Sequence, residues 1–240
     1  RGPLDEAQSK KLFAQFGIPC AAERTVQTAD QAQAAALELG GRVVLKILSS
    51  EITHKSDVGG VAVGLTPETI ADRIATMTSE VQANTGKLPE GFLVQEMVTS
   101  GTELILGLHR DSLGTAILLG MGGVTAELFK DTTMRLLPAE GGLSRQEALS
   151  MAKELKTWPL LDGFRGRPKA DVDALVEAVV AFSNMASQLG ERLIEAEINP
   201  IFVMSKGKGV KAAAARARKA LQEMSKGIKE RRKEITAEKE

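Results

Sequence analysis

Several residue types are scarce or missing in this sequence, and each shortage argues against a class of function. The chain has no tyrosine, one tryptophan and an aromatic content of 3%, which argues against the stacking platforms that bind single-stranded nucleic acid. Its 31 lysine and arginine residues are balanced by 31 acidic residues, so no overall field favours nucleic acid or an acidic membrane. We therefore expect no nucleic acid and no membrane as partners.

Cysteine and long apolar runs are scarce as well. The single cysteine, Cys20, cannot form an intrachain disulfide and fits a reducing compartment. No apolar run approaches the length that crosses a bilayer, and no signal peptide opens the sequence. We therefore expect a cytoplasmic protein, and 240 residues allow one large domain or two modest lobes.

The stretch 43–65, VVLKILSSEITHKSDVGGVAVGL, is the segment around which the rest of the chain is organised in the sequence. Its two apolar ends predict buried strands, and Lys46 follows the first of them. The polar loop between the strands carries His54, Lys55, Gly59 and Gly60. Paired glycines let backbone N–H groups approach a ligand, and lysines neutralise phosphate. The stretch therefore predicts a polyphosphate cradle, although it matches neither GxxxxGK[ST] nor GxGxxG.

Helices and strands are interleaved along the chain. Periodicity and capping signals predict helices over 4–16, 30–39, 66–83, 144–156 and 171–189, and strands over 92–98, 103–108, 115–119, 193–198 and 201–204. Segment 160–168 is expected to be a loop. This mixture with its hairpins predicts α+β lobes rather than one doubly wound sheet. From residue 211 the alanine-rich and then highly charged sequence predicts a solvated helix, with Leu221, Ile228 and Ile235 spaced seven apart.

Three further patterns are candidates for chemistry. Glu195, Glu197 and Asn199 alternate, so on a strand they share one face and offer oxygen ligands of the kind magnesium uses; the alternative is a solvated strand edge that Pro200 ends. Gly122 and Gly123 form either a tight turn or a second phosphate-facing loop. His54 is one of two histidines, and a structural or solvated role competes with catalysis.

These residues resemble a known family. Lys46 and the segments HKSDVGGV, VQEMV, GTELILGLHRD, GMGGVTAELFKD, LLDGFRGRP and EINP occur in an order similar to that of the ATP-grasp domain of ADP-forming acyl-CoA synthetases, relatives of the succinyl-CoA synthetase β subunit. The resemblance covers about residues 4–211. It implies two α+β lobes that clasp a nucleotide, divided at 1–100 and 101–211. The charged tail at 212–240, which the sequence predicts to be helical, does not resemble the family.

The resemblance also implies an activity and roles for residues. Such enzymes interconvert acyl-CoA, ADP and phosphate with acid, CoA and ATP through an acyl phosphate and a phosphohistidine, using ATP or ADP and Mg²⁺. Lys46 would meet phosphate, Glu96, Met97 and Val98 would line the adenine, and Glu103 would approach the ribose. Asn199 would hold magnesium, Glu197 would face the arriving phosphohistidine, and His54 would accept the phosphoryl group.

Two departures from the family pattern leave alternatives open. The CoA-binding and acyl-ligase domains, or α-type subunit, are expected as partners because they are missing from this chain. Ala214 stands where the family carries a second, acidic metal ligand. A non-catalytic nucleotide-sensing module is therefore the first alternative, and an interaction protein that acts through its tail is the weakest one.

Overall fold

The computed structural model describes residues 4–49, 51–52, 54–123 and 130–219. Its helices are α1 (Glu6–Gln15), α2 (Ala29–Glu38), α3 (Ile70–Thr85), α4 (Arg145–Lys153), α5 (Trp158–Leu161) and α6 (Val172–Leu189). Its strands are β1 (Glu23–Val26), β2 (Val43–Leu48), β3 (Val61–Leu65), β4 (Gly91–Glu96), β5 (Thr102–Asp111), β6 (Gly114–Met121), β7 (Thr132–Leu136), β8 (Leu193–Val203), β9 (Val210–Ala212) and β10 (Ala215–Lys219). None of the helices in these ranges has the length and apolar character needed to span a bilayer.

The first sheet has four strands in the order β1-β4-β2-β3, and every neighbouring pair is antiparallel. Helices α2 and α3 supply apolar side chains to its core. The buried residues of α3 are Ile70, Ile74, Met77 and Val81, which recur at the spacing of one helix face. This periodicity explains why the segment forms an amphipathic helix against the sheet.

The second sheet has six strands, with β10-β8-β5-β6-β7 in order and β9 paired to β8. Helices α4 and α6 pack together and contribute to its core. Helix α4 begins with a capping box, because the Ser144 hydroxyl accepts a hydrogen bond from the Glu147 N–H at 3.2 Å while Glu147 accepts from the Ser144 N–H at 2.8 Å. All strand pairs here are antiparallel as well, so the expected α+β class is confirmed.

Helix α1 comes first in the sequence but packs into the core of the second sheet. Phe13 is fully buried there, and its ring meets Phe182 of α6 edge-on at a centroid distance of 5.8 Å. Leu4 also forms a bridge with Ala217 of β10. The first sheet is formed by residues before residue 100 and the second sheet by residues after it. The two cores do not divide there, because Phe13 of α1 belongs to the core of the second sheet. The two-lobe division at residue 100 stays a prediction.

The helix predicted from residue 211 is wrong over its described part. Residues 210–212 and 215–219 form β9 and β10, both of which pair with β8. Alanine favours helices by only a few tenths of a kcal/mol to about 1 kcal/mol over most residues, so tertiary pairing overrides it. The alternation of Arg216, Ala217 and Arg218 buries the alanine completely and exposes both arginines. Residues 220–240, including the apolar seam, lie outside the described residues.

Other differences have local causes. Pro200 does not end a strand, because β8 continues through it to Val203. Segment 160–168, expected to be a loop, overlaps α5 and includes a 3₁₀ turn at Phe164–Gly166. Helix α2 is capped by Thr28 rather than by Asp30. The strands β1 and β7 were not predicted, since both are short segments of four and five residues with half-polar sequences.

Candidate functional site

An open cavity of about 600 Å³ lies between residues of the first sheet and residues of the second. Lys46 of β2, His54 and Lys55 line it on the first side. Glu197 and Asn199 of β8 line it on the second side, together with Ala214 and Arg216. The N-terminal end of α1 contributes Leu4, Asp5 and Glu6. The cavity thus brings together six residues that the sequence marked as candidates or as a departure from the family, namely Lys46, His54, Lys55, Glu197, Asn199 and Ala214.

Lys46 is held by groups from three parts of the chain. Only 8% of the residue is exposed. Its Nζ atom donates to Glu6 Oε1 at 2.6 Å, to Gln95 Oε1 at 3.1 Å and to the Ala213 carbonyl at 3.0 Å. A lysine ammonium has three N–H donors, so each has a partner. Burial lowers the pKa of Lys46, and the Glu6 carboxylate opposes that shift.

Glu6 is the acidic centre of this cluster. Its carboxylate lies 3.1 Å from Lys10 Nζ, 2.6 Å from Lys46 Nζ and 3.3 Å from Lys55 Nζ. Lys10 in turn contacts Glu23 and Gln95, each at 2.6 Å. Burial raises the pKa of Glu6, but the three ammonium groups outweigh it and bring the pKa down to about 2. Glu6 is therefore an ionised carboxylate with little exposure to solvent.

The loop between β2 and β3 places His54 and Lys55 at the cavity. His54 is exposed and precedes a 3₁₀ turn at Lys55–Val58, which ends at Gly59 in the left-handed region. The Gly59 N–H donates to the Ser56 carbonyl at 3.3 Å, and the Gly60 N–H donates to the Lys55 carbonyl at 2.7 Å. Both N–H groups are thus used inside the loop, and in this geometry the glycine pair closes the turn.

A Cβ atom at Gly60 would lie 2.8 Å from two carbons of the Ile47 side chain and 2.9 Å from the Lys55 carbonyl oxygen. Glycine is needed at this position because the loop packs directly against β2. Neither Gly59 nor Gly60 is among the described residues that line the cavity. The close packing fixes the loop that carries His54 and Lys55.

On the second sheet, Glu195, Glu197 and Asn199 share the face predicted from their spacing. Asn199 Nδ2 donates to Glu197 Oε1 at 3.1 Å. The Arg216 guanidinium of β10 lies 2.7 Å from Glu197 Oε2 and 3.3 Å from Glu195 Oε1. The alternative of a solvated strand edge is wrong, because β8 is an internal strand between β5 and β10.

The remaining candidates lie outside this cavity. Glu96 accepts hydrogen bonds from Lys211 Nζ at 2.7 and 2.8 Å and from the Ala22 N–H at 2.8 Å. Burial raises the pKa of Glu96, but these hydrogen bonds outweigh it and leave the pKa below its usual value. Met97 and Val98 follow β4 directly and are half-buried. The Met97 N–H donates to the Arg42 carbonyl at 3.4 Å.

Glu103 and the glycine loop after β6 form a group of their own. The Gly122 N–H donates to the Glu103 carbonyl at 2.8 Å. A Cβ atom at Gly123 would lie 3.1 Å from Glu103 Oε2. The loop therefore needs small residues to pass beside Glu103. Residues 124–129, which follow it in the sequence, lie outside the described residues.

The sequence interpretation missed Glu6, Lys10, Gln95 and Arg216. Glu6 and Lys10 lie four apart at the start of a predicted helix, which is ordinarily read as a solvated pair. Gln95 lies in an apolar run that reads as buried strand. Arg216 lay in the segment that was predicted to be helical. The arginine–alanine alternation was the one local signal that could have revealed the strand and with it this arginine.

Around Asn199, the described residues offer few anionic ligands for magnesium. Within the described ranges, no group of three or more histidine, cysteine, aspartate or glutamate side chains is arranged to hold a metal ion. Both Glu197 oxygens already accept hydrogen bonds, and Ala214 offers no side-chain oxygen. The Ala214 carbonyl accepts from the Asn199 N–H at 3.1 Å, which places residue 214 directly beside Asn199.

Two family models match this chain, and their matches overlap at residues 203–219. The family model of the ATP-grasp domain matches residues 1–219, and the model of the histone H1-like protein Hc1 matches residues 203–240. The chain is 32% identical over 223 residues to the β subunit of acetate–CoA ligase [ADP-forming] II from Pyrococcus furiosus, covering 90% of this chain and 91% of that one. It is 35% identical over 214 residues to acetate–CoA ligase [ADP-forming] I from Archaeoglobus fulgidus, covering 87% of this chain but 30% of that protein.

A solved structure is similar over most of the chain. It is the acetyl-coenzyme A synthetase 1 of Ca. Korarchaeum cryptofilum in complex with coenzyme A and Mg-AMPPCP, with a phosphohistidine segment that points towards its nucleotide-binding site. The TM-score is 0.76 at 35% identity, and the match covers 91% of this chain and 93% of that one.

Because of the ion pairs around Glu6, we expect the free energy of unfolding to decrease as the pH falls. Because the pKa of Glu6 is depressed from 4.5 to about 2, its contribution is fully present above about pH 4.5 and is lost as the pH falls through about 2. A tenfold change in proton affinity corresponds to about 1.4 kcal/mol, so the loss is about 3 kcal/mol. Urea unfolding between about pH 5 and pH 2 should show a steeper decline for the wild-type chain than for Glu6→Gln. Parallel curves would contradict the ion cluster.

Proposed function

Because the chain belongs to the ATP-grasp domain family, we propose that it binds an adenine nucleotide and passes a phosphoryl group to or from it. The chain is β-subunit-like and related to acid–CoA ligases that form ADP. The resemblance, the ATP-grasp fold and the ligase class expected from the sequence are thereby confirmed. The overall reaction converts acid, CoA and ATP into acyl-CoA, ADP and phosphate.

This chain does not complete that reaction alone in our proposal. It spans 30% of the Archaeoglobus relative but 91% of the Pyrococcus β subunit. We infer that an α-type subunit, or fused domains, binds CoA, handles the acyl group and carries the phosphohistidine that first receives the phosphoryl group. The cytoplasmic location stays a prediction.

One observation carries the proposal: the cavity sets cations of the first sheet opposite oxygen-bearing side chains of the second. Lys46 and Lys55 neutralise phosphate charge, and phosphoryl transfer depends mainly on such neutralisation and on positioning. His54 accepts the phosphoryl group on a ring nitrogen as the N–P bond of the partner's phosphohistidine breaks and frees that imidazole. The new N–P bond at His54 then breaks when a terminal oxygen of ADP attacks the phosphorus, which yields ATP and free His54. Glu197 faces the phosphohistidine of the partner domain.

The nucleoside would lie along the groups beside the cavity. Glu96, Met97 and Val98 line the adenine, and Glu103 approaches the ribose. We assign the loop at Gly122 and Gly123 a second phosphate-facing role. A Cβ atom at Gly123 would lie 3.1 Å from Glu103 Oε2, so glycine at this position leaves room beside Glu103. Gly59 and Gly60 contribute to phosphate binding indirectly, because they close the loop that carries His54 and Lys55. Their own N–H groups already have hydrogen-bond partners within that loop.

Magnesium enters this proposal with the nucleotide. Phosphates and water fill most of its coordination sphere, because magnesium needs few protein ligands. From this chain, Asn199 offers one neutral amide oxygen beside them. The Ala214 side chain adds no oxygen ligand, so the ion is held mainly by the nucleotide.

The alternative function is a nucleotide-sensing module without phosphoryl transfer. The observation that favours it is Ala214, which contributes no carboxylate beside Asn199. An exposed His54 at the cavity favours transfer instead. Phosphorylation of the chain in the presence of the complete partner distinguishes the two functions.

Lys46→Ala tests nucleotide binding directly. Removing a buried ammonium that meets phosphate should weaken ADP binding by about 1.5–3 kcal/mol. Isothermal titration calorimetry with ADP gives the two dissociation constants. Lys206→Ala, at an exposed turn outside the cavity, is the control and should bind as the wild type does. Equal ADP affinity in Lys46→Ala would remove Lys46 from the site.

His54→Asn tests the phosphoryl acceptor. With the CoA-binding partner present, the wild-type chain should carry acid-labile phosphate, and His54→Asn should carry little because the amide has no nucleophilic ring nitrogen. His109→Asn is the matched control and should label normally, because His109 lies near the end of β5 and is not among the described residues that line the cavity. The assignment fails if His54→Asn keeps the wild-type level of label.

Ala214→Asp tests the missing carboxylate. Adding an anionic oxygen beside Asn199 should increase about tenfold the factor by which magnesium strengthens nucleotide binding. It should also raise the rate of phosphoryl transfer. ADP binding in the absence of magnesium should not improve, since the new charge repels phosphate. Calorimetry with and without magnesium measures both effects. If magnesium dependence does not change, residue 214 does not face the metal.

A further inference from the structure

The Glu6 carboxylate is a charged group of the cavity that the proposed function leaves without a role. It lines the cavity, although 9% of its side chain is exposed. Its Oε1 atom accepts from Lys46 Nζ at 2.6 Å and its Oε2 atom from Lys55 Nζ at 3.3 Å. Glu6 thus accepts hydrogen bonds from both of the lysines that are proposed to bind phosphate, one at each carboxylate oxygen. Two oxygens of a phosphate group could accept from the same two lysines.

Hydrogen-bond accounting shows that Lys46 cannot bind an anion without giving up a partner. Its three donors are taken by Glu6, Gln95 and the Ala213 carbonyl. Gln95 is 3% exposed and also holds Lys10 at 2.6 Å, so its displacement would disrupt a second lysine. Glu6 lies at the cavity wall, where an incoming anion arrives.

The surroundings of Glu6 allow such an exchange. Helix α1 packs into the second core through Phe13, which holds Glu6 in place when Lys46 turns away. Lys10 lies 3.1 Å from Glu6 on the same helix and remains as its partner. The carboxylate is therefore not left unpaired in a buried site, the outcome that makes a broken buried ion pair costly.

We propose that Glu6 is an internal anion that competes with nucleotide phosphate for Lys46 and Lys55 and so sets the affinity of the site. This inference rests on the proposed function, because it concerns the same two lysines. Binding exchanges one anion for another and involves no covalent step. The opposite role, in which Glu6 positions the lysines for phosphate, predicts the opposite effect of its removal.

Glu6→Gln separates the two roles. The amide keeps the shape and one acceptor oxygen but removes the competing charge, so ADP and inorganic pyrophosphate should each bind on the order of tenfold more tightly without magnesium. Calorimetry on the full chain measures both ligands. Weaker binding of both ligands would overturn the proposal and make Glu6 a positioning residue.

Two controls separate competition from a general change of charge. Glu23→Gln removes a carboxylate from the same cluster, but Glu23 contacts Lys10 at 2.6 Å and is not among the described cavity residues; its affinities should stay within about twofold of the wild type. The gain from Glu6→Gln should vanish in a background where Lys46 and Lys55 are both replaced by alanine, because Glu6 contacts both lysines. A gain that persists there, or an equal gain in Glu23→Gln, overturns the proposal.

The two ligands distinguish failure of this inference from failure of the proposed function. If ADP binds the wild type but Glu6→Gln tightens neither ligand, the inference is wrong and the function stands. If pyrophosphate binding tightens while neither chain binds ADP, the inference stands and the function is wrong. If neither ligand binds either chain, both are wrong.

A measurement on the unaltered chain covers the case in which Glu6→Gln does not fold. Saturating ADP should speed amide hydrogen exchange in the first turn of α1, because Glu6 loses two of its three lysine partners. The amides of α6, which share the same core, should exchange at their original rates. Slower exchange in the first turn of α1 would overturn the proposal.

Discussion

The ion cluster around Glu6 is the contact on which the rest of the site depends, because it joins the two halves of the cavity. Lys46 belongs to the first sheet, whereas Glu6 and the Ala213 carbonyl belong to segments packed on the second. Charges removed from water are costly unless each finds partners of good geometry. Lys46 has three such partners, so one arrangement of the two sheets satisfies it fully.

Successive side chains of a β-strand point to opposite faces of the sheet, and on β8 one face packs in the core while the other faces the cavity. On β8, Ala196 and Ile198 are buried in the core, while Glu197 and Asn199 face the cavity. The burial of Ala196 and Ile198 therefore fixes the direction in which the candidate side chains Glu197 and Asn199 point. Arg216 on β10 extends this face and balances the carboxylate charge of Glu197.

Much of this arrangement could be predicted from sequence wherever the signal is local. The strand, loop and strand of 43–65, the long amphipathic helices and the shared face of Glu197 and Asn199 follow from hydrophobic spacing over a few residues. Residues 211–219 could not be predicted in this way, because their alanines favour a helix while pairing with β8 makes them strands. The energy of that pairing comes from residues far away in the sequence.

By itself, the sequence determined the family, the α+β class and the residue types available at the site, since ordered motifs and periodicity are properties of the chain alone. Only the tertiary structure decided which charges meet. Glu6 and Lys46 are 40 residues apart, and Lys46 and Ala213 are 167 apart. No local spacing specifies such contacts. They depend on how helix α1 and the two sheets pack, because burial there selects the partners that each ammonium group must have.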